Sequence, residues 1–329
     1  MSPAVAGLIA DRGEAAASTE FFRSRPFLDA EGVTHTLRIE SNAAALLAPL
    51  IVRTIGDGPE RDAASPYAYP GLVPADAVGT SPRYPEKTAY STIDGGGEIE
   101  VGSIDLSATG LVSLFIRHRL GPPPLSGSTE RNVVQIADPA LPPKSRPSDR
   151  RQVRKNLEAG YTLELVPGAD TTPAQRAGFL DVYQQTMRRT AAADHYFFPA
   201  AYFDRVLEAD RTWLALATAP GGELAAASLA AVSDGFLHYY LSGSADSHLR
   251  DSPMKNIVTR LVEHANELDL PLNLGGGISA GDALEEFKRG FANRQETWHT
   301  SEIICDPTKY AQLSAGHPPG PFFPAYRAP

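Results

Sequence analysis

Apolar and polar positions change period several times along the chain, and the second half shows these changes most cleanly. From Tyr161, YTLELV alternates with period two, the signature of a strand with one buried face. Thr172 then precedes Pro173 as an N-cap, and Phe179, Leu180, Tyr183 and Met187 recur at helical spacing. A second short helix, AAYFDRVLEAD, follows. TWLALAT, ELAAASLAAV and FLHYYLSG read as three strands joined by the tight turns PGG and SDG. Ser252 and Pro253 open another helix, with an apolar stripe at Ile257, Val258, Leu261, Val262 and Ala265. LNLG is a short buried strand, DALEEFKRGF a helix and ETWHTSEIIC a closing strand. Ahead of them all, DRRQVRKNLEAG is a helix with Ser148 as its N-cap and Gly160 as its stop. From YTLELV onward the order is β-α-α-β-β-β-α-β-α-β. An antiparallel meander followed by a strand–helix–strand unit makes an α+β fold, with a mixed sheet that opens a cleft between two strands.

The first half is less regular. VTHTLRIE and ALLAPLIVRTI read as a hairpin around SNA, although the Ala and Leu content of the second segment also suits a helix. LVSLFIRHRL and NVVQIAD read as strands. Residues 1–18 are Ala-rich and expected to be loosely ordered, and the proline-dense tail after Ser314 cannot form a helix. Between these ends the stretch ADPALPPKSRPSD marks a break. The expected division is therefore residues 1–145, residues 146–315 and a tail of residues 316–329.

Composition narrows the chemistry. At 329 residues and 42% hydrophobic, the chain has material for about two domains with sizeable cores. Its net charge of −9 repels nucleic acid overall, so any such contact must be local. The single cysteine, Cys305, excludes an intrachain disulfide, fits a reducing cytoplasm and reads as a buried strand thiol in SEIICD. No run approaches the roughly 18 apolar residues of a membrane span, and the N-terminus lacks the basic start of a signal peptide. A soluble cytoplasmic protein is expected. The eight histidines are scattered without metal-ligand spacing, and neither GxSxG nor a P-loop occurs; no metal and no cofactor are expected.

The candidate chemistry concentrates in NLGGGISAGDALEEFKRGFANR, residues 273–294. Gly275, Gly276 and Gly277 let the backbone turn sharply and let a ligand approach, and the helix that follows carries Phe287 and Lys288. A lysine is a compact charge with three donors, suited to a phosphate, a carboxylate or an oxyanion. The plainer alternative is a strand-to-helix turn followed by a solvated lysine. Tyr67 and Tyr69 bring aromatic faces and hydroxyls to a Pro/Gly-bounded loop, fit to line a substrate pocket. Arg117 ends an apolar strand and suits an anionic group. On FLHYYLSG, strict alternation turns Tyr239 opposite to His238 and Tyr240, with either Tyr239 or Tyr240 facing the cleft. Arg150, Arg151, Arg154 and Lys155 form a basic helix face, either solvated or the best local patch for an RNA acceptor stem.

Six local stretches, in this order, resemble one family: SPYAYPG (65–71), LVSLFIR (111–117), RRQVRKNLEAGY (150–161), VYQQTMRR (182–189), LHYYLSGS (237–244), and LGGG followed by FKRGF. Over residues 32–310 the chain resembles the Fem family of aminoacyl-tRNA-dependent transferases, in which two units of the GNAT acyltransferase fold are fused. The resemblance implies two GNAT-like domains, each a mixed, mostly antiparallel sheet flanked by helices. The first would bind an acceptor and the second would hold the transfer site. It places Phe287 and Lys288 at that site, with Thr186 and Arg188 contacting the acceptor. The implied reaction moves an aminoacyl group from aminoacyl-tRNA to an amine, on a peptidoglycan precursor or a natural-product intermediate. Two departures stand out: Ala68 occupies a position where the family more often has glycine, and the chain lacks the long helical arm of some members. CoA-using GNAT enzymes carry a Gly-rich basic loop after the fourth strand of the domain; here that place reads SGSADSHLRDSPMKN, with only Arg250 and Lys255 as nearby cations. An acyl-CoA-dependent N-acyltransferase and a non-catalytic protein that sequesters a ligand are the alternative readings.

Overall fold

The computed structural model describes residues 3–41, 45–77, 99–279, 281–317 and 320–328. The chain forms two compact units, Met1–Arg131 with Thr297–Pro329, and Asn132–Glu296. The division thus precedes the proline-rich stretch rather than following it at residue 145, and the last part of the chain returns to the first unit. Strand pairing explains the difference, because prolines 139, 142, 143 and 147 only carry the chain from one element of the second unit to the next.

In the first unit, β1 (Ala4–Ile9) is followed by α1 (Arg25–Ala30), β2 (His35–Glu40), β3 (Ala45–Thr54), β4 (Arg61–Ala64), β5 (Val73–Pro74), β6 (Ile104–Asp105) and β7 (Ser113–Arg117). The sheet runs β6-β1-β2-β3-β4-β7, with β5 paired to β3. The β2–β3 hairpin is present, and β3 is a strand rather than a helix. Residues 3–18 are not loose: Ala4 and Ala6 bury one face of β1, and the Asp11 carboxylate accepts from Gly13 N at 3.0 Å and Ala15 N at 2.8 Å to fix the turn after it. The core joins Leu37, Ile39, Leu46, Leu50, Leu114 and Ile116.

The second unit begins within β8 (Thr129–Ala137) and continues with α2 (Pro147–Glu158), β9 (Thr162–Pro167), α3 (Pro173–Arg189), α4 (Ala200–Val206), β10 (Thr212–Thr218), β11 (Leu224–Ser233), β12 (Phe236–Ser244), α5 (Met254–Glu267), β13 (Leu272–Gly275) and α6 (Ala283–Arg289). The closing strand β14 (Arg294–Ile304) and α7 (Pro307–Ser314) lead back into the first unit, where β14 pairs antiparallel with β7. The second sheet runs β8-β13-β12-β11-β10-β9, antiparallel throughout except at β12–β13. Both sheets are mixed and mostly antiparallel, and the fold class is α+β as expected. Helices α3 and α5 pack on β11 and β12, so β11 is buried almost end to end.

Two local expectations need correction. Helix α2 starts at Pro147 with Arg146 as its N-cap, so Ser148 lies inside the first turn; proline pre-sets the helical φ and begins the helix two residues early. Cys305 lies one residue past β14 and is only half-buried, its thiol pushed up to about 12 by burial. Beyond the two corrections, residues 320–328 are held within the first unit: the Arg327 guanidinium donates to the buried Asp62 carboxylate, and Tyr326 shares a 2.7 Å hydrogen bond with Ser113. Helix α7, capped by the Asp306 side chain, went unread in the sequence.

Candidate functional site in the second unit

The meander brings β12 beside β13, and their ends carry the residues of interest. Gly243 explains how close α3 lies: a Cβ there would sit 2.3 Å from Val182 O and 2.5 Å from Tyr183 N. One irregularity decides the faces. Leu229 pairs with Leu241 but Ala230 pairs with Tyr239, so Tyr240 is an extra residue in β12 and strict alternation fails there. Both tyrosine rings are half-buried. The Tyr240 hydroxyl meets that of Tyr202 at 2.6 Å, whereas Tyr239 turns toward Lys288.

Each glycine of the triplet has its own reason. Gly275 adopts φ +75°, and a Cβ there would lie 3.2 Å from the Lys288 Nζ. At Gly276 a Cβ would press on Val133 O at 3.0 Å, and at Gly277 on the Asp282 carboxylate at 2.5 Å. Asp282 caps α6: its side chain accepts from Glu285 N at 2.7 Å, Ile278 N at 2.7 Å and Ser279 N at 3.0 Å. The D-x-x-E spacing of a helix start carried this signal in the sequence.

Helix α6 buries its lysine more deeply than its phenylalanine. Lys288 is 8% exposed, while Phe287 is half-buried. The Lys288 Nζ donates a 2.7 Å hydrogen bond to Gly276 O and lies 6.0 Å from the Tyr239 ring centroid. Burial lowers its pKa to about 8, partly offset by Asp282. The solvated-lysine alternative therefore falls. Among the described residues this ammonium makes one hydrogen bond, leaving donors available in a nearly dry setting. Tyr239 accepts a 2.6 Å hydrogen bond from the Ser242 hydroxyl, and burial raises its phenol to about 12.

Behind the glycines, Asn273 accepts from Gly275 N at 2.8 Å and its amide contacts His238 Nδ1 at 3.1 Å. His238 Nε2 donates to Ser233 O at 3.1 Å, and burial holds the ring down to about 4. Its two nitrogens are thus committed and the ring is neutral, so it braces the loop through Asn273. Ser242, Asn273 and Asp282 were not singled out from the sequence.

The other expected site residues stand elsewhere. Thr186 donates to Val182 O at 3.1 Å and accepts from Ser244 N at 2.9 Å, tying α3 to the end of β12. Arg188 is exposed at the end of α3. Arg150, Arg151, Arg154 and Lys155 are exposed on α2; Arg154 reaches Glu158 at 3.7 Å and Arg150 donates to Ser145 O. In the first unit, Arg117 donates from its guanidinium to Ser65 O at 2.7 Å and from its backbone to the Ser65 hydroxyl at 3.2 Å. It thereby holds the loop with Tyr67, whose N–H donates to Glu31 at 2.8 Å, and Tyr69, set edge-on to Phe22 and Trp298. Ala68 between them adopts φ 66°, the left-handed conformation that glycine takes at no steric cost.

The segment after β12 forms a 3-10 helix over Asp246–Asp251. Asp251 O accepts from Gln152 at 3.1 Å and Asn156 at 2.8 Å, and the Asp251 carboxylate accepts from Tyr161 at 2.8 Å. In the first turn of α5, Lys255 N and Asn256 N are already bonded to Ser252 O and Pro253 O. The Lys255 ammonium is paired at 2.9 Å with the buried Asp149. Among the described residues, no helix is long and apolar enough to cross a membrane, and no three His, Cys, Asp or Glu side chains group as a metal site.

Residues 143–289 match the family described as an acetyltransferase (GNAT) domain. No curated protein sequence matches the chain. FemX has a similar structure, with a TM-score of 0.55 at 10% identity over 84% of this chain and 89% of that one. So does the C-terminal domain of an Agrobacterium fabrum protein named for lysylphosphatidylglycerol synthesis, with a TM-score of 0.56 at 13% identity over 92% and 94%. L-PGS from Bacillus licheniformis gives a TM-score of 0.52 at 11% identity over 84% and 86%. The segment of α2 through α6 thus matches the model of a GNAT acetyltransferase domain, and the chain resembles FemX and L-PGS in fold.

Proposed function

We propose that this protein forms an amide by transferring an aminoacyl group from an aminoacyl-tRNA to an amine acceptor. The observation that carries the reading is Lys288: a lysine 8% exposed, with one hydrogen bond to Gly276 O, at the end of the strand–glycine–helix unit of a GNAT fold. In this reading the acceptor amine attacks the ester carbonyl, and the Lys288 ammonium offsets the negative charge that develops on the carbonyl oxygen. The nitrogen loses its proton to the acceptor's own phosphate or carboxylate, or to water, because His238 is neutral and already bonded. Phe287 flanks the site, Tyr67, Tyr69 and Arg117 hold the acceptor, and the basic face of α2 meets the RNA. Thr186 keeps α3 against β12, with Arg188 beside it for the acceptor.

The start of α5 favours an RNA-borne donor over CoA. A CoA pyrophosphate needs free N–H groups at a helix N-terminus and nearby cations. Here two of those N–H groups are bonded within the turn, Lys255 is paired, and Asp246 and Asp251 add negative charge. One observation supports the runner-up: the matched family is described as acetyltransferase, which suits an acyl-CoA-dependent N-acyltransferase on the same fold. Incubation with tRNA charged with labelled amino acids and an amine-containing extract separates the two. RNase-sensitive amide formation is expected; product that needs acetyl-CoA instead would replace the first reading with the second, and ligand retention without turnover would point to a sequestering protein.

A further inference from the structure

Tyr239 carries more than a contact surface. Its hydroxyl oxygen accepts from Ser242 at 2.6 Å, with Ser242 as donor. The phenol's own hydrogen must therefore point away from Ser242. Among the described residues nothing accepts that hydrogen, although the ring is half-buried beside Lys288. A half-buried donor without an acceptor is costly unless a ligand completes it. The inserted Tyr240 produces this arrangement: the irregularity in β12 turns Tyr240 to Tyr202 and leaves Tyr239 with Ser242 and Lys288.

Resting on the aminoacyl-transfer reading, we propose that Tyr239 is the proton donor to the leaving ribose oxygen, with Ser242 as the residue that aims it. The balance is complete. The amine nitrogen bonds to the carbonyl carbon, and the carbon–oxygen bond to the ribose breaks. The ribose oxygen takes the phenolic proton, and the proton that the nitrogen sheds to the acceptor's own phosphate or carboxylate, or to water, is passed on to the phenolate, which restores the phenol. Lys288 and Tyr239 then divide the work: the ammonium steadies the carbonyl oxygen and the phenol serves the departing one. A phenol raised to about 12 by burial stays protonated at neutral pH and is close in acidity to a ribose hydroxyl, as efficient proton transfer requires.

The test compares two donors of the same amino acid, charged tRNA and an activated ester whose leaving group needs no proton, with one amine acceptor. Tyr239→Phe keeps the ring under Lys288 and should lower kcat by about 10²–10³ on the RNA ester but less than about tenfold on the activated ester. Lys288→Ala should lower both alike. Ser242→Ala should lower kcat on the RNA ester with little change in KM, and Ser242→Thr should restore most of it. Equal losses for Tyr239→Phe on both donors, or none on either, would overturn the proton-donor role while leaving aminoacyl transfer intact. A wild-type protein that ignores charged tRNA but turns over another acyl donor would remove the reading beneath it, a result distinct from the first because no variant is needed to see it.

Discussion

The Lys288 Nζ donates 2.7 Å to the carbonyl of Gly276, so the helix that brings the charge and the glycine loop that frames it are fastened to each other. The same contact sets a trade between stability and activity. Holding a lysine at about 8 instead of 10.5 costs the folded state roughly 3 kcal/mol at neutral pH. Lys288→Met keeps the volume and removes the charge, at the expense of leaving Gly276 O to water, and should raise stability by on the order of 1 kcal/mol. Lys288→Ala should lower kcat/KM by about 10²–10³, and Lys288→Arg should restore little, because a planar fork does not fit a point-charge site. Denaturant melts beside initial rates give both numbers. A methionine variant that is less stable than wild type would show that the buried ammonium is structural.

Glycine substitutions should sort by what the new Cβ meets. Gly243→Ala places it 2.3–2.5 Å from the backbone of α3, which cannot yield without moving the helix, so a loss above about 3 kcal/mol or failure to fold is expected. Gly275→Ala meets only the flexible end of Lys288 at 3.2 Å but must hold φ +75°, a strain of about 1–2 kcal/mol. Its effect should appear mainly in turnover, since the methyl displaces Nζ. Equal Tm losses for the two would contradict this ranking.

Most of the second unit was legible because its signals are local: the N-cap at Thr172, the meander strands and the alternation of β9 all coincide with the observed elements. What escaped depends on pairing between distant residues. Ala4 and Ala6 are too small to signal a strand, yet β1 is bonded along its length to β2. The prolines of the tail exclude a helix, as read, but nothing local announces that a buried carboxylate at Asp62 holds Arg327. At the site, the glycines and Lys288 could be named from the motif, while the burial of Lys288 could not, since the exposed face of α6 is the one with Ala283, Leu284 and Glu286. The extra residue in β12 left no mark in LHYYLSGS. Alternation therefore could not decide between Tyr239 and Tyr240.

Arg117 should behave as a loop anchor. With its guanidinium on Ser65 O, Arg117→Ala frees the segment that carries Tyr67 and Tyr69. The acceptor KM should rise about tenfold with donor use unchanged, together with a stability loss of about 1 kcal/mol from the broken hydrogen bond. An unchanged KM for the acceptor would detach this loop from acceptor binding.

Acetyl-CoA should stabilise the protein weakly. A ligand at a hundred times its Kd adds about 2.7 kcal/mol, which a thermal melt registers easily. With Lys255 paired to Asp149 and the start of α5 internally bonded, millimolar acetyl-CoA should leave Tm nearly unchanged. A Kd in the low micromolar range would favour the acyl-CoA reading.

The last prediction concerns acid. His118 is buried at the end of β7, with Nε2 2.8 Å from the Ser301 hydroxyl, and burial, then the neighbouring His299 and Arg119, hold it down to about 4. Burial holds His238 to about 4 as well, against the pull of Ser233 O and Asp234. In the unfolded chain both titrate near 6.5. Between pH 6.5 and 4 the unfolded state therefore binds more protons than the folded one, so stability falls as pH drops through this window and levels below it. Each histidine contributes up to roughly 3 kcal/mol, from a shift of 2.5 units at about 1.4 kcal/mol per unit. Carboxylates also weaken the fold in acid, so the comparison must be differential. His118→Gln should flatten the wild-type slope between pH 6.5 and 4.5 by nearly one proton, and His238→Gln should do the same while also slowing turnover through Asn273 and Gly275. If both variants keep the wild-type slope, the imidazoles are protonated in the folded protein and His238 would again be a candidate base.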